Sequence, residues 1–178
     1  HCVSHWGHDF RKDYTQLWQL REKLPHVPIM ALTATADQAT RQDIAQQLRL
    51  NAPFIYVGSF DRANIRYTQV EKLEPERQLV RFLKEQEGSG IIYCASRRKT
   101  EELAQLLLRK GFKSAYYHAG MEYREREQIQ QDFIRDNIDI MVATVAFGMG
   151  IDKSDVRYVV HYEIPKSIEA YYQESGRA

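Results

Sequence analysis

The segment GSGIIYCASRRKTEELAQLLLRKG, residues 88–111, decides the fold class. Its run Ile91–Cys94 is short and continuously apolar, which is typical of a strand that is buried on both faces. Apolar residues then recur at helical spacing from Leu103 to Leu108, and Gly111 is placed to end the helix as a C-terminal cap. A buried strand followed by an amphipathic helix is the repeating unit of a parallel α/β sheet.

The same alternation of short apolar runs and helical patterns extends along the rest of the chain. Strands are expected at residues 29–32, 54–57, 65–70, 91–94, 115–117, 140–143 and 156–160. Helices are expected after the N-cap candidate Asp37, from Pro75, between Ser96 and Gly111, around residues 129–133, and after Pro165. This order predicts the α/β class, with a parallel sheet that helices cover on both faces. Residues 58–65 interrupt the alternation, so we place a domain boundary there.

Composition and charge narrow the class of protein. The 178 residues include 25 basic and 24 acidic side chains, for a formal charge of +1, and 43% of the residues are hydrophobic. These values exclude a disordered chain and a basic surface that coats nucleic acid non-specifically. No apolar run reaches the roughly 18 residues of a membrane span, and the first residues lack the pattern of a signal peptide. The sequence starts without Met and stops within a motif, so we expect a piece of a longer protein.

Residues that follow the apolar runs are the candidate ligands, because parallel sheets bind ligands beyond the carboxyl ends of their strands. Thr33 and Thr35 follow the first run, and on their own their hydroxyls favour a helix cap over a phosphate ligand. Ser96–Lys99 place a hydroxyl and three cations at a helix start, which fits a phosphate site and a solvated basic turn equally well. His118 is a lone histidine, and this arrangement is more often structural than catalytic.

Two further segments carry weaker signals. Residues 144–152, TVAFGMGID, contain Gly148 and Gly150, which allow a backbone to approach a ligand closely but also fit a simple tight turn. Near the N-terminus, Trp6 and Phe10 lie beside a cation and suit stacking on unpaired bases. For these aromatic residues, composition alone slightly favours the alternative that the loop packs their side chains into the hydrophobic core.

Seven short segments of the sequence, taken together and in order, are a more specific signal of a family than any one of them alone. They are residues 1–11 (HCVSHWGHDFR), 32–36, 59–62 with 64–67, 91–97, 117–121, 142–152 and 173–178. In that order they resemble the end of a DEAH box with an aromatic-rich loop, motif III, an inter-lobe segment, motif IV, the motif that follows it, motif V and the first part of motif VI. This set resembles the RecQ family of superfamily-2 DNA helicases over the whole chain.

The resemblance implies both a fold and a function. Residues 1–58 would be the C-terminal half of RecA-like lobe 1, residues 59–65 the inter-lobe segment, and residues 66–178 a C-terminally truncated RecA-like lobe 2. The family's function is ATP-dependent 3′–5′ unwinding of duplex DNA by translocation on a single strand, in DNA repair and recombination. ATP and Mg²⁺ are the implied cofactors. Single-stranded and forked DNA are the implied partners, with no membrane partner, in the cytoplasm or nucleoid of a bacterium or the nucleus of a eukaryote.

The matching motifs also imply roles for individual residues. His1 would be the last residue of the DEAH box. The residues implied to couple DNA binding to hydrolysis are Trp6, His8, Phe10, Arg11, Thr33 and Thr35. Those implied to face ATP are Gly150, Asp152, Gln173 and Arg177. Those implied to contact DNA are Trp6, Phe10, Arg97, His118 and Thr144.

Several catalytic parts of the family are not among the 178 residues. These are the Walker A loop with its Lys, the Asp and Glu of the DEAH box, and the second Arg of motif VI, which is the expected arginine finger. We therefore expect no complete catalytic set and no ATP hydrolysis by the chain alone. No metal ligand is expected here either, because the family's zinc would bind outside this segment. Cys2 and Cys94 lack CxxC spacing and are interpreted as cytosolic thiols.

Two alternative functions stay open. The chain alone could act as a non-catalytic single-stranded nucleic-acid-binding module that uses Trp6, Phe10 and Arg97 without turnover. Its substrate could instead be RNA, as in DEAD-box relatives, although the aromatic loop argues against this. We also expect the second lobe to be the better-ordered part, because residues 1–58 would leave a sheet edge unpaired.

Overall fold

A computed structural model describes residues 1–5, 10–59, 62–148 and 153–178. The chain divides into two compact units, residues 1–61 and 62–178, which are called the N-terminal unit and the C-terminal unit. The lobe boundaries inferred from the motifs stay a prediction.

The elements of both units are short, and the described strands all lie in the C-terminal unit, where they alternate with helices over most of its length. The described helices are a 3₁₀ helix at Lys12–Leu17, α1 (Trp18–Lys23), α2 (Gln38–Gln47), α3 (Pro75–Lys84), α4 (Arg97–Arg109), α5 (Tyr123–Ile134) and α6 (Ile168–Ser175). The described strands are β1 (Ser89–Tyr93), β2 (Ser114–Tyr117), β3 (Ile140–Ala143) and β4 (Val156–His161). None of the helices in the described part of the chain has the length and apolar character to cross a membrane.

The four strands form one parallel sheet in the C-terminal unit, in the order β2-β3-β1-β4. Ile92 in β1 lies opposite Val142 of β3 and Val160 of β4. Strand β1 is buried along its whole length, as its continuous apolar run predicts. The α/β class with a parallel sheet is therefore confirmed.

Helices pack on both faces of this sheet. On one face α3 and α4 form a core with β1, β3 and β4, through residues such as Leu83, Ile92, Leu107, Val142 and Tyr158. On the other face α5 packs Phe133 against residues such as Ile91, Met141 and Phe147. The alternate side chains of β1 thus point into two separate cores, which is the arrangement expected for a sheet covered on both sides.

A close contact joins β1 to β4 at the start of the sheet. Gly90 lies opposite Tyr158 in the strand register, and the Tyr158 ring occupies the space beside it. A Cβ atom built on Gly90 would lie 2.0 Å from Cε2 of Tyr158. Only glycine fits at this position.

The N-terminal unit has a small core beneath α2. Val3, Ile44 and Leu48 are buried against one another. Asp37 caps α2 by accepting a 2.7 Å hydrogen bond from the Thr40 backbone N–H, as the sequence predicted.

Two side-chain contacts attach neighbouring segments of this unit to α2 and to Arg49, which follows α2. Ser4 donates a 2.6 Å hydrogen bond to Oδ2 of Asp43 in α2, and this contact is the main reason that the Asp43 pKa is lowered. The guanidinium of Arg49 lies 3.6 Å from the ring centroid of Trp18 in α1.

The predicted strands at residues 29–32, 54–57 and 65–70 are wrong. The structure assigns no strand to any of these segments. The apolar side chains of Met30, Leu32, Phe54 and Tyr56 are 80–91% exposed. An extended segment becomes a strand only when a neighbour supplies hydrogen bonds, and none of the described residues pairs with these three segments.

Candidate functional site

The carboxyl ends of the four parallel strands lie at one edge of the sheet in the C-terminal unit. Tyr93, Tyr117, Ala143 and His161 are the last residues of β1, β2, β3 and β4. Arg97, His118 and Thr144 follow three of these strands within four residues. Parallel sheets bind ligands at this edge, so it is the candidate site.

The turn after β1 places Arg97 at the start of α4. Ser96 caps this helix by accepting a 3.2 Å hydrogen bond from the Lys99 backbone N–H. The Arg97 side chain then extends over Gly120, where an added Cβ would lie 3.0 Å from Nη1 of Arg97. The contact brings the loops after β1 and β2 together.

The three cations of this turn have different surroundings. Arg98 lies 3.5 Å from a carboxylate oxygen of Glu102, and Lys99 lies 3.4 Å from one of Glu76. Arg97 has no carboxylate partner among the described residues, and its side chain is exposed. Arg97 is thus the cation of the turn that is free to bind an anion such as a phosphate.

His118 is buried, and both of its ring nitrogens have partners. Nδ1 accepts a 3.2 Å hydrogen bond from the Gly120 backbone N–H, and Nε2 lies 2.9 Å from Oε1 of Glu101. Since Nδ1 accepts, the proton lies on Nε2 and is donated to the carboxylate. The imidazole therefore holds the loop against α4, and this arrangement fits the structural interpretation of a lone histidine. The DNA contact inferred for His118 stays a prediction.

Thr144 begins a turn at the end of β3. Its backbone N–H donates a 3.2 Å hydrogen bond to the Tyr117 carbonyl, and its carbonyl accepts a 3.0 Å bond from the Phe147 N–H. The side chain is partly exposed at the same edge as Arg97.

Arg177 lies against the backbone of Gly148, which follows this turn. Gly148 has φ +148°, and an added Cβ would lie 2.3 Å from Nη2 of Arg177. The glycine pair of this segment was predicted to let a backbone approach a ligand closely. At Gly148 the group that approaches is the Arg177 guanidinium of the same chain.

Three residues beside Arg177 were not predicted from the sequence. Tyr93 donates a 3.0 Å hydrogen bond from its hydroxyl to the Phe147 carbonyl. His161 lies 2.8 Å from Oε2 of Glu174 through Nε2, and its ring stacks on Tyr93 at a centroid distance of 5.8 Å. The tyrosine is hidden within an apolar run, and no sequence spacing connects it to the histidine. Glu174 lies three residues before Arg177 in motif VI, which was the one available signal.

Gln173, the other motif VI residue of the prediction, lies in α6. Ser167 caps this helix by accepting a 3.2 Å hydrogen bond from the Ala170 N–H. The Gln173 side chain is exposed, whereas Glu174 next to it is buried.

The predicted coupling threonines lie close to His1 in the N-terminal unit. Nδ1 of His1 is 3.0 Å from Oγ1 of Thr33, and the Thr35 backbone N–H donates a 3.3 Å bond to the same oxygen. The prediction that their hydroxyls cap a helix is wrong, because Asp37 supplies the cap of α2. Oγ1 of Thr35 is buried with no hydrogen-bond partner in the described part of the chain.

The aromatic segment is described only in part. Phe10 is 39% exposed and stacks on the His5 ring at 4.4 Å. The interpretation that the aromatic side chains of this loop pack into the core is therefore wrong for Phe10. The Arg11 guanidinium lies 5.9 Å from the Tyr14 ring centroid. Trp6 and His8, like the predicted ATP contacts Gly150 and Asp152, lie outside the described residues.

The cysteines and possible metal ligands add no second site. Cys94 is a free cysteine, and burial raises the pKa of its thiol to about 12, so it is unreactive. Within the described ranges no group of three His, Cys, Asp or Glu residues is arranged to hold a metal ion.

Comparison with known proteins connects this edge to a family. The family model described as "Helicase conserved C-terminal domain" matches residues 71–178, more than half of the chain. The chain therefore belongs to the helicase C-terminal domain family. Within that family its sequence is RecQ-like over its whole length, which confirms the resemblance inferred from the motifs.

Curated relatives and solved structures agree with this assignment. The chain is 62% identical to the ATP-dependent DNA helicase RecQ of Pasteurella multocida and 48% identical to the RecQ-like DNA helicase BLM of Xenopus laevis. Each match covers all of this chain, but the chain spans only 28% and 13% of the two relatives. Among solved structures, S. cerevisiae Dbp5 bound to RNA and ADP BeF3 has a TM-score of 0.75 and 21% identity, over 95% of this chain and 46% of that one. This likeness supports the RecA-like fold alone.

Proposed function

We propose that this chain is part of an ATP-dependent DNA helicase that unwinds duplex DNA by moving 3′ to 5′ along a single strand, in DNA repair and recombination. The observation that carries the proposal is the position of Arg177. Its guanidinium is seated on Gly148, and its buried Nε donor has no acceptor among the described residues. A buried donor without a partner is rare and fits a group reserved for an anionic ligand.

Arg177 supplies the ATP side of the proposed site. A guanidinium offers planar, paired donors that match the oxygens of a phosphate, so it can bind the γ-phosphate through two parallel hydrogen bonds. When bound, Mg²⁺ neutralises charge on the phosphates. The family assigns its ligands to the Asp and Glu of the DEAH box rather than to residues of this chain. Gln173, Gly150 and Asp152 are proposed to line the same nucleotide.

Arg97 supplies the DNA side. It is the exposed cation of the turn after β1, and Gly120 lets it extend across to the loop after β2. A phosphate contact of this kind positions the strand without reading its sequence. Thr144 and the His118 loop lie at the same edge and are proposed to follow the DNA backbone.

The coupling between the two ligands is proposed to run through the N-terminal unit. Trp6, His8, Phe10 and Arg11 would stack on or contact unpaired bases, at about 1–3 kcal/mol per stacked base. Thr33 would transmit this contact to the nucleotide, since its hydroxyl is hydrogen-bonded to His1 at the end of the DEAH box. The proposed setting is the bacterial cytoplasm or nucleoid, or the eukaryotic nucleus, on single-stranded and forked DNA.

ATP hydrolysis with and without single-stranded DNA tests the proposal. We expect DNA-stimulated hydrolysis by the full-length protein that carries this segment. We expect none by the 178-residue chain alone, because it lacks a Walker A loop, the acid pair and the second motif VI arginine. Turnover by the isolated chain would contradict the second expectation. ATP-independent single-strand binding by the full-length protein, without any turnover, would instead favour a non-catalytic binding module.

Matched arginine variants separate the two sides of the site. Arg177→Ala should lower kcat about 10- to 100-fold, the value of a hydrogen bond to a charged group. Arg97→Ala should leave kcat unchanged and raise the DNA concentration that gives half-maximal stimulation. Arg98→Ala is the control for Arg97, because Arg98 is paired with Glu102. Equal effects of Arg97→Ala and Arg98→Ala would remove the DNA contact assigned to Arg97.

A further inference from the structure

We propose that Tyr93 is a positioning residue for Arg177, an inference that rests on the function proposed above. Tyr93 ends β1 at the carboxyl edge, but its role in this proposal is not that of a ligand of ATP or DNA. Its hydroxyl instead fixes the short turn on which the Arg177 guanidinium is seated, and so sets the direction in which that guanidinium points during hydrolysis.

The first link is the hydrogen bond between Tyr93 and the turn after β3. Tyr93 is the last residue of β1 and is buried. Its hydroxyl donates to the Phe147 carbonyl at 3.0 Å, across 54 residues of sequence. Phe147 directly precedes Gly148, so this bond holds the backbone just before the glycine.

The second link is the seat that Gly148 provides. An added Cβ would lie 2.3 Å from Nη2 and 2.6 Å from Cζ of Arg177, so the guanidinium is packed directly on the glycine backbone. A shift of the turn by a fraction of an ångström would move the guanidinium with it. The Tyr93 hydroxyl therefore controls the seat rather than the arginine side chain itself.

The third link is electrostatic. Burial raises the Tyr93 pKa to about 12, and the nearby Arg177 acts in the opposite direction through its charge and a hydrogen bond to the hydroxyl. The hydroxyl thus stays protonated at neutral pH and donates to the Phe147 carbonyl.

A parallel contact holds the helix that precedes Arg177. The His161 ring stacks on Tyr93 and lies 2.8 Å from Oε2 of Glu174, which is in the last turn of α6. The Tyr171 ring of α6 has a centroid distance of 5.2 Å to His161 and of 5.7 Å to Tyr67, which lies in the segment that follows the inter-lobe region. Tyr93 therefore lies at the inner end of a row of packed rings that supports α6.

The test is a double-mutant cycle in the full-length protein, read as kcat and KM for ATP in saturating single-stranded DNA. Tyr93→Phe removes only the hydroxyl and keeps the ring that stacks on His161. We expect kcat to fall about 2- to 13-fold, the value of one hydrogen bond between neutral groups. KM for ATP and the DNA concentration for half-maximal stimulation should change less than about twofold, because neither ligand touches Tyr93.

The second half of the cycle asks whether Tyr93 acts through Arg177. In an Arg177→Ala background, Tyr93→Phe should have no further effect on kcat, since the group that it positions is gone. A merely structural role would lower kcat by the same factor in both backgrounds. Tyr158→Phe is the control, because Tyr158 is a buried tyrosine of the neighbouring strand that belongs to the core on the opposite face.

Each outcome of the cycle either supports or overturns the positioning role of Tyr93. A fall in kcat confined to the wild-type background, with Tyr158→Phe unchanged, supports the inference. Equal falls in both backgrounds, or no fall in either, would overturn it and leave the proposed function intact. A wild-type protein that shows no DNA-stimulated hydrolysis would overturn the proposed function and this inference together.

Discussion

The two units of this chain are built from similar apolar runs but fold to very different extents. The run Ile91–Cys94 in the C-terminal unit is buried in the middle of a four-stranded sheet. The runs 29–32 and 54–57 in the N-terminal unit have the same length and character but form no strand and expose most of their side chains. The difference lies in the neighbours: β1 has β3 and β4 on either side, whereas none of the described residues pairs with the runs of the N-terminal unit.

The comparison shows that a short apolar run specifies a tendency, and that hydrogen-bonded neighbours turn this tendency into a strand. It also explains why the organised part of the candidate site lies in the C-terminal unit. A carboxyl edge that brings three loops together requires aligned strands, and such strands are described only there. In the N-terminal unit, the His1–Thr33 contact depends on a single hydrogen bond between exposed groups.

The largest effect is expected from a substitution that overpacks the contact between β1 and β4 in the C-terminal unit. Gly90→Ala places a Cβ 2.0 Å from Cε2 and 2.2 Å from Cζ of Tyr158, whose side chain is buried in the core. Overpacking of this kind costs about 1–3 kcal/mol, so the free energy of unfolding of this unit should fall by that amount in urea titrations.

The N-terminal unit offers a matched control for this substitution. A Cβ added to Gly58 would meet only the Tyr56 ring, at an ordinary contact distance of 3.6 Å. Gly58→Ala should therefore change stability by less than about 0.5 kcal/mol. A loss at Gly58 as large as that at Gly90 would mean that the exposed runs of the N-terminal unit are packed after all.

A smaller effect is expected at alkaline pH, which should lower the stability of the C-terminal unit. Burial raises the pKa values of Cys94, Tyr93 and Tyr158 to about 12, while the same groups in the unfolded chain ionise at their ordinary pKa values of 9.0 for Cys and 10.0 for Tyr. Folded pKa values above the unfolded ones give a stability that is complete below pH 9 and is lost as pH rises towards 12. The melting temperature of this unit should decline over that range.

Cys94→Ala sharpens the pH test. Without the thiol, the first group to ionise in the unfolded state is a tyrosine, so the decline should begin near pH 10 rather than near pH 9. The comparison uses the pH at which the decline begins, since the cavity left by the smaller side chain lowers stability at every pH. An onset that does not move would show that Cys94 ionisation is not part of the alkaline loss.

Much of the fold could be predicted from the sequence because the deciding signals are local. The positions of β1 to β4 and the cap of α2 at Asp37 follow from apolar runs and one short polar side chain. The strands expected at 29–32, 54–57 and 65–70 could not be judged in this way, because pairing depends on distant residues. The residues of the candidate site divide in the same way, into those with a local sequence signal and those whose contacts depend on distant residues.

Arg97 and Arg177 could be predicted because they belong to motifs with fixed order. Tyr93 could not, because a tyrosine inside a buried strand has the same signature whether its hydroxyl is functional or simply packed. The Glu101 partner of His118 was also hidden, since the two residues are separated by 17 positions and meet only when β2 packs on α4. Such contacts are products of the tertiary fold rather than of local spacing.

Hydrogen–deuterium exchange of the chain, recorded without and then with single-stranded DNA, tests the central claim most directly. Without DNA, amides of β1 and β3 should exchange about a thousandfold more slowly than those of residues 29–32 and 54–57. With DNA, further protection should appear at the carboxyl edge, at residues 95–99 and 118–121. Uniform protection across both units, or protection by DNA at the opposite edge of the sheet, would contradict the account.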